Sequence, residues 1–504
     1  MKYCLIFALL PIVFLLTGTS AHCQQFGRNK PNYETFDFKI HSTPNFKIYH
    51  YLNNDSLVAT LSAASERWYQ NHMVTFRDTF PNQNPLILYA NHTDFWQTNA
   101  ILGSVGIGTG GVTEALRNRV VMPVMELNSQ TNHVLGHELV HAFQYMMLRN
   151  PKDSLSLNNI QNLPLWMVEG LAEFLSIGHI DPQTAMWMRD ALRENKFPTL
   201  KEMTRNSEYF PYRYGQAFWS FVTGVFGDTV VYPLFGETAK VGYDEALKKL
   251  FGMDEKSFSE AWKRNLTEYY GKFRALNADT MSGKLLVGEK AGDINIAPVI
   301  SPNGNYLAFL SRKNFFSIDL FVADARSGKV LKTLASTVGD SHIDEFSFVE
   351  STGTWSPHSD RFAFVGFSKG SSVLTIVDMD ARGRTRTVEI PRLEYFSNPT
   401  WSPDGERIVV SGMTEGQSDL YEYNLRTGKV TRLTDDWYSD VQPQWSPDGR
   451  FIIFVSDRPA DGQAYKSKAL QISLLDRQEN DITVMNIFPG AENFNPVFSP
   501  GGQA

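Results

Sequence analysis

The sequence predicts an α+β domain followed by an all-β propeller, the second incomplete within these residues. Three observations carry that reading. Apolar residues recur at helical spacing through much of the first half. Near residue 290 the chain changes to short strands and turns. A turn motif then returns at intervals of 44 to 55 residues, and a strand-rich repeat of that length reads as propeller blades.

A chain of 504 residues has room for two or three domains. Hydrophobic residues make up 42% and charged residues 20%, with a net charge of −7, so there is no basic face to suggest a nucleic-acid partner. At the N-terminus, Lys2 precedes the apolar stretch Leu5–Leu16, and small residues follow from Thr17 to Ala21. The run falls short of the roughly 20 apolar residues a membrane span needs and reads as a signal peptide over 1–23. No later segment is apolar enough to span a bilayer, so the mature chain is expected to be exported, periplasmic or secreted, without a transmembrane helix. The two cysteines are Cys4 and Cys23, so no disulfide is expected in the mature protein. Cys23 is a candidate for lipid anchoring, but His22 stands where such signals carry a small residue, which argues against it.

The first domain is expected over 24–275, with 24–45 wrapping it and a linker at 276–289. Phe46–Tyr51, Pro85–Tyr89 and Arg119–Val124 have strand composition. Helices are expected at 131–148, 164–177, 183–194, 213–225 and 255–272.

The propeller is expected over 290–504, as four blades and the start of a fifth. Its repeats open at Ile300-Ser301-Pro302-Asn303-Gly304 and continue at Trp355-Ser356-Pro357, Trp401-Ser402-Pro403-Asp404-Gly405, Trp445-Ser446-Pro447-Asp448-Gly449 and Phe498-Ser499-Pro500-Gly501-Gly502. The Asp-Gly pair suits a hairpin turn because Gly accepts positive φ. These repeats resemble the TolB-type, WD40-like β-propellers, whose blades carry the same signature and usually close with six or more. That resemblance implies a natural protein that continues beyond Ala504. It also leads to the expectation that 282–300 is an outer strand pairing with the last blade.

The chemistry lies in the first domain. His137-Glu138-Leu139-Val140-His141 is an H-E-x-x-H motif. On a helix, residues four apart share a face, so both imidazoles reach one ion and Glu138 sits beside a metal-bound water. Catalytic zinc takes three protein ligands as a rule. Glu169, in Leu165-Trp166-Met167-Val168-Glu169-Gly170-Leu171-Ala172-Glu173-Phe174, is the candidate third. Gly170 and Ala172 are small enough to let this second helix approach the first. Glu173, one turn on, is placed to hydrogen-bond a zinc-bound imidazole.

This pair of motifs resembles the gluzincins, zinc metallopeptidases of zincin-like fold, and in particular the peptidase MA-like domains of exported bacterial proteins. The resemblance covers about 46–270. It departs from the commonest pattern in the longer spacing between His141 and Glu169, which the polar segment Asn150–Leu163 accounts for as a loop. The resemblance implies one zinc ion held by His137, His141 and Glu169, with Glu138 as general base in peptide-bond hydrolysis. Tyr214 is the candidate oxyanion donor, with Tyr209 and Tyr212 as competitors. Arg119–Val124 is read as an edge strand able to pair with an extended peptide substrate. His133 is read as a residue near the helix N-terminus and not as a ligand. Gly366–Gly370 spells G-x-S-x-G but lies between propeller strands, so it is read as a turn. The glycine-rich stretch Gly106–Gly111 is read as a loop beside the site. The rival reading makes the propeller the working part, a module for a protein, peptide or glycan partner, beside a vestigial peptidase domain.

Overall fold

The computed structural model describes residues 32–272 and 292–502, with short breaks at 104, 107, 150–154, 293, 315–316, 337–344, 347–352, 381–383, 461, 463, 466–469, 486, 489–490 and 500. The expected signal segment 1–23, with Cys4 and Cys23, and the expected linker 276–289 lie outside the described residues.

The first domain begins with β1 (Lys39–Ser42), β2 (Phe46–His50), α1 (Asp55–Phe76), β3 (Asn84–Tyr89), α2 (His92–Trp96), β4 (Val112–Glu114) and β5 (Arg119–Pro123). The strands form one sheet in the order β1-β2-β3-β5-β4. The central strands β2, β3 and β5 run parallel, which requires long crossovers, and α1 supplies the first. Strand β5, read from sequence as an edge, is paired on both sides; the edge on its side of the sheet is the short antiparallel strand β4, and β1 is the other edge. Three residues following a glycine-rich stretch leave too little pattern for β4 to be seen in advance.

Helices then dominate: α3 (Asn128–Arg149), α4 (Leu165–Ile177), α5 (Pro182–Arg193), α6 (Leu200–Arg205), α7 (Pro211–Phe226), α8 (Val231–Val241), α9 (Tyr243–Phe251) and α10 (Glu255–Gly271). Leu157–Asn162, inside the segment read as a loop, forms a short 3-10 helix. One continuous core joins Ile48, Leu86 and Val120 of the sheet to Leu139, Val140 and Phe143 of α3.

Helices α4 and α7 cross where Gly170 meets Gly215. A β-carbon on Gly170 would stand 2.3 Å from the Gly215 backbone, and one on Gly215 would stand 2.0 Å from the Trp166 carbonyl oxygen. Gly170 therefore serves contact with α7, not with the histidine helix as the sequence suggested.

From Asn295 onward the chain builds four antiparallel sheets, at 295–335, 345–388, 395–432 and 440–485. Asn295–Ile300 pairs inside the first sheet, which corrects the reading of that part of 282–300 as an outer strand; 282–291 lies outside the described residues. Each turn motif is closed by its serine. The Ser402 hydroxyl donates to Asp404 Oδ1 at 2.5 Å and accepts from the Arg407 N–H at 3.0 Å, and Ser446 does the same with Asp448 and Phe451. The tryptophans bind neighbouring blades together: Arg361 lies 4.8 Å over the Trp401 ring and Arg407 5.0 Å over Trp445. The described residues between 487 and 502 carry no assigned strand, yet Gly502 N–H still donates to the Ser499 carbonyl at 2.9 Å, as in the other turns.

The propeller sheets pack on the first domain. Phe367, Tyr395 and Met413 join the first domain's core, and Leu127 is buried among Val441, Val455, Leu470 and Ile472. At the start of α3, the Asn128 N–H donates to Ser439 Oγ at 3.0 Å and its Nδ2 to Asp457 Oδ2 at 3.0 Å. The first satisfies one of the N–H groups a helix start leaves unpaired.

Candidate metal centre

Helix α3 places His137 and His141 one turn apart on the face towards α4, which brings Glu169 against both. The two Nε2 atoms and Glu169 Oε2 form a triangle with every side 3.2 Å. Donors about 2.0–2.1 Å from a tetrahedral zinc stand about 3.3 Å apart, so the set fits such an ion in both chemistry and spacing.

Each imidazole is held from behind. His141 Nδ1 is 2.9 Å from Gln144 Oε1, while Gln144 Nε2 donates to the Val168 carbonyl at 3.0 Å. That second bond orients the amide so that its oxygen faces the ring, which in the neutral imidazole keeps the proton on Nδ1 and frees the Nε2 lone pair. His137 Nδ1 is 3.1 Å from Glu173 Oε1. Glu173, 4% exposed, is fixed in turn by Arg213, whose Nη1 lies 3.2 Å from its Oε2 and 3.2 Å from Asp181 Oδ2. His133 Nε2 also reaches Glu173 Oε1, at 3.2 Å. It does not join the triangle.

Three carboxylates and few countercharges make the centre hungry for positive charge. Burial disfavours a charged ring at His137, but Glu169 and Glu173 overcome it and push the imidazole up to about 10. His141 is likewise raised, against burial, by Glu169. Burial pushes Glu169 and Glu173 up, but their histidine neighbours outweigh it and hold both far below the usual carboxylate range.

Glu138 stands outside the triangle. Thr113 Oγ1, on the edge strand β4, lies 2.7 Å from Glu138 Oε2, to which it donates, and 2.8 Å from the Glu138 carbonyl oxygen. Gly111 makes the room, since a β-carbon there would stand 2.8 Å from Glu138 Cγ.

The structure does not bring Tyr214 to this site. It is a packing residue among Trp187, Phe197 and Tyr209, because the helical turn that points Tyr212 inward turns Tyr214 away. Tyr212 stacks on His137, with centroids 5.8 Å apart and planes at 15°. Burial and the nearby Glu169 carboxylate push its hydroxyl well above the ordinary tyrosine range. Gln144, Thr113 and Arg213 were not foreseen. Only Gln144 had a local signal, standing three residues after His141 on the same face.

Beyond this domain, residues 343–504 match the family model of the TolB beta propeller domain. This region is similar to the TolB-type propellers. Among solved structures, TolB from Acinetobacter baumannii is similar at 19% identity over 42% of this chain and 47% of that chain, with a TM-score of 0.34. A putative TolB from Agrobacterium tumefaciens is similar at 22% identity over 42% of this chain and 73% of that one, TM-score 0.34. A puromycin-hydrolyzing peptidase from Mycobacterium tuberculosis is similar at 15% identity over 40% and 29%, TM-score 0.31. The match to the first spans less than half that protein's length. Among the described residues, no helix is long and apolar enough to cross a membrane.

Proposed function

We propose that the first domain is a zinc-dependent peptidase of gluzincin type, exported from the cytoplasm and acting on peptide or protein substrates. The observation that carries this reading is the equal-sided triangle of His137, His141 and Glu169, each histidine held by an outer partner, with a fourth residue, the carboxylic Glu138, beside it but not in it.

A zinc ion in that triangle supplies Lewis acidity, acidifying water and polarising a carbonyl. Glu138, oriented by Thr113, takes the proton from the attacking water and returns it to the leaving amine. Gln144 and Glu173 keep both imidazoles in the tautomer and orientation the site requires. Tyr212 offers its hydroxyl to the oxyanion that develops. The open edge of β4 offers unpaired backbone groups to an extended substrate, within reach of Glu138 through Thr113.

The test is metal stoichiometry with cleavage of a peptide library. The chain should bind one zinc, and His137→Ala or His141→Ala should abolish that binding; a zinc-loaded protein that cleaves nothing sinks the reading. Binding should also release one to two protons at pH 7. His137 and His141 are raised without the metal, so protons must leave before the nitrogens can ligate, and affinity should climb with pH towards about 10. Calorimetry in two buffers of different ionisation enthalpy counts those protons, and a count of zero would contradict the charge state described above. Tyr212→Phe should keep the zinc and lose about 100-fold in kcat, whereas Tyr214→Phe should stay near the parent.

The family match of 343–504 favours a second reading, in which the propeller binds a protein, peptide or glycan partner and the first domain is vestigial. Stoichiometric zinc without hydrolysis would favour it.

A further inference from the structure

A cavity of about 230 Å³ lies between the first domain and the propeller. Its first-domain wall is the Gly108–Gly110 loop with Gln130 of α3, and its propeller wall includes Tyr395, Met413 and Gln442. The propeller wall is firmly placed. Tyr395 and Met413 belong to the first domain's core. Gln442 sits at a left-handed backbone position, φ 55°, in a bulge of the innermost strand of its sheet, which turns the residue out of the regular ladder. His92 also lines the cavity, with its buried Nε2 unpaired in the protein. The lining is mixed, with Val124, Leu127, Phe367 and Phe494 giving apolar surface beside the polar Glu126 and Asn398, and a ligand pocket pairs apolar lining with convergent polar groups.

Position ties this cavity to the metal centre. The loop that lines it runs through Gly110 into Gly111, whose missing side chain makes room for Glu138, and then into the open edge strand β4. Gln130 precedes His137 by two helical turns, about 10 Å. An extended peptide advances about 3.3 Å per residue. A chain lying on β4 with its reacting carbonyl at the triangle therefore delivers a side chain to the cavity about three residues away.

We propose that this cavity is a specificity subsite taking a large apolar side chain about three residues from the scissile bond, so that the propeller itself helps select the substrate. The proposal rests on the peptidase reading. It is tested with peptides that share one cleavable bond and carry Phe or Ala at each position up to four residues on either side. The parent should prefer Phe over Ala at the third position on one side by about tenfold or more in kcat/KM. Gln130→Trp, an exposed helical site facing the cavity, should erase that preference. Met413→Ala, from the propeller wall, should weaken it. An equal Phe preference in the parent and both variants, or no preference at that distance, overturns the proposal. Anisotropy of a fluorescein-labelled Phe peptide on metal-free protein separates the two readings. If the zinc-loaded parent cleaves nothing, the peptidase reading fails. The cavity then stands as a peptide site if Gln130→Trp weakens binding at least about fivefold, and falls if binding is unchanged.

Discussion

On the proposed peptidase reading, Glu138→Gln is expected to leave zinc bound and to lower hydrolysis by about 10²–10⁴-fold, the range a positioned general base contributes. The two halves of that result come from different parts of the structure. Zinc retention follows because Glu138 contributes nothing to the triangle, whose members are His137, His141 and Glu169. The Gln side chain also keeps an oxygen for Thr113, which holds the native carboxylate at 2.7 Å, so neither fold nor pocket needs to shift. Loss of activity follows because an amide cannot accept the proton. Metal analysis and kcat on one peptide check both. Cleavage by the variant at the parent's rate would remove Glu138 from the mechanism, and loss of zinc would show that it supports the ligands after all.

Gly215→Ala, a single added methyl, is expected to destabilise the first domain by more than about 3 kcal/mol, at or beyond the upper end of ordinary overpacking. The new carbon would lie 2.0 Å from the Trp166 carbonyl oxygen, and no side-chain rotation relieves a clash with backbone. Helices α4 and α7 must part. Since α4 carries Glu169 and α7 carries Tyr212, the same change should weaken zinc binding in whatever protein still folds. A urea titration followed by tryptophan fluorescence reads the first effect and calorimetry the second. Parent-like stability would show that the crossing is looser than it stands here. A matching Gly224→Ala on the same helix, where an added carbon meets nothing within 4 Å, should be close to neutral.

Five helices were legible in the sequence within three residues of their ends, because their apolar residues recur at helical spacing. Helix α1 was not, although it is 22 residues long. Its buried face includes Ser62, Ser65 and His72 beside Val58, Leu61 and Phe76, so the apolar stripe that periodicity detects is broken by polar groups. Those groups find partners inside: each serine hydroxyl donates to the carbonyl four residues back, and His72 Nε2 meets the Gly136 carbonyl at 3.0 Å. The site divides in the same way. His137, Glu138 and His141 are neighbours in sequence and could be read from spacing. Glu169 and Glu173 could be read because they too share one helix. Choosing between Tyr212 and Tyr214 requires knowing which side of α7 faces the metal centre, and that is set by the Gly170–Gly215 crossing, a contact between distant segments. Thr113 is still harder to foresee, since it reaches Glu138 only because β4 pairs with β5. The propeller was the most legible part because its turns repeat. What repetition did not disclose was the purpose of the tryptophans: Trp401 and Trp445 take an arginine of the blade before them, and Trp355 stacks on Tyr306 of the blade before it.

The bonds from Asn128 to Ser439 and Asp457 have a thermodynamic consequence. They fasten the first turn of the helix that carries His137 and His141 to the propeller. If the centre holds zinc as proposed, a partner that binds the propeller and alters those bonds would change the zinc affinity by some factor, and linkage would require zinc loading to change the partner's affinity by that same factor. The two domains then share a single free-energy surface, in which metal supply and partner binding act as reciprocal effectors.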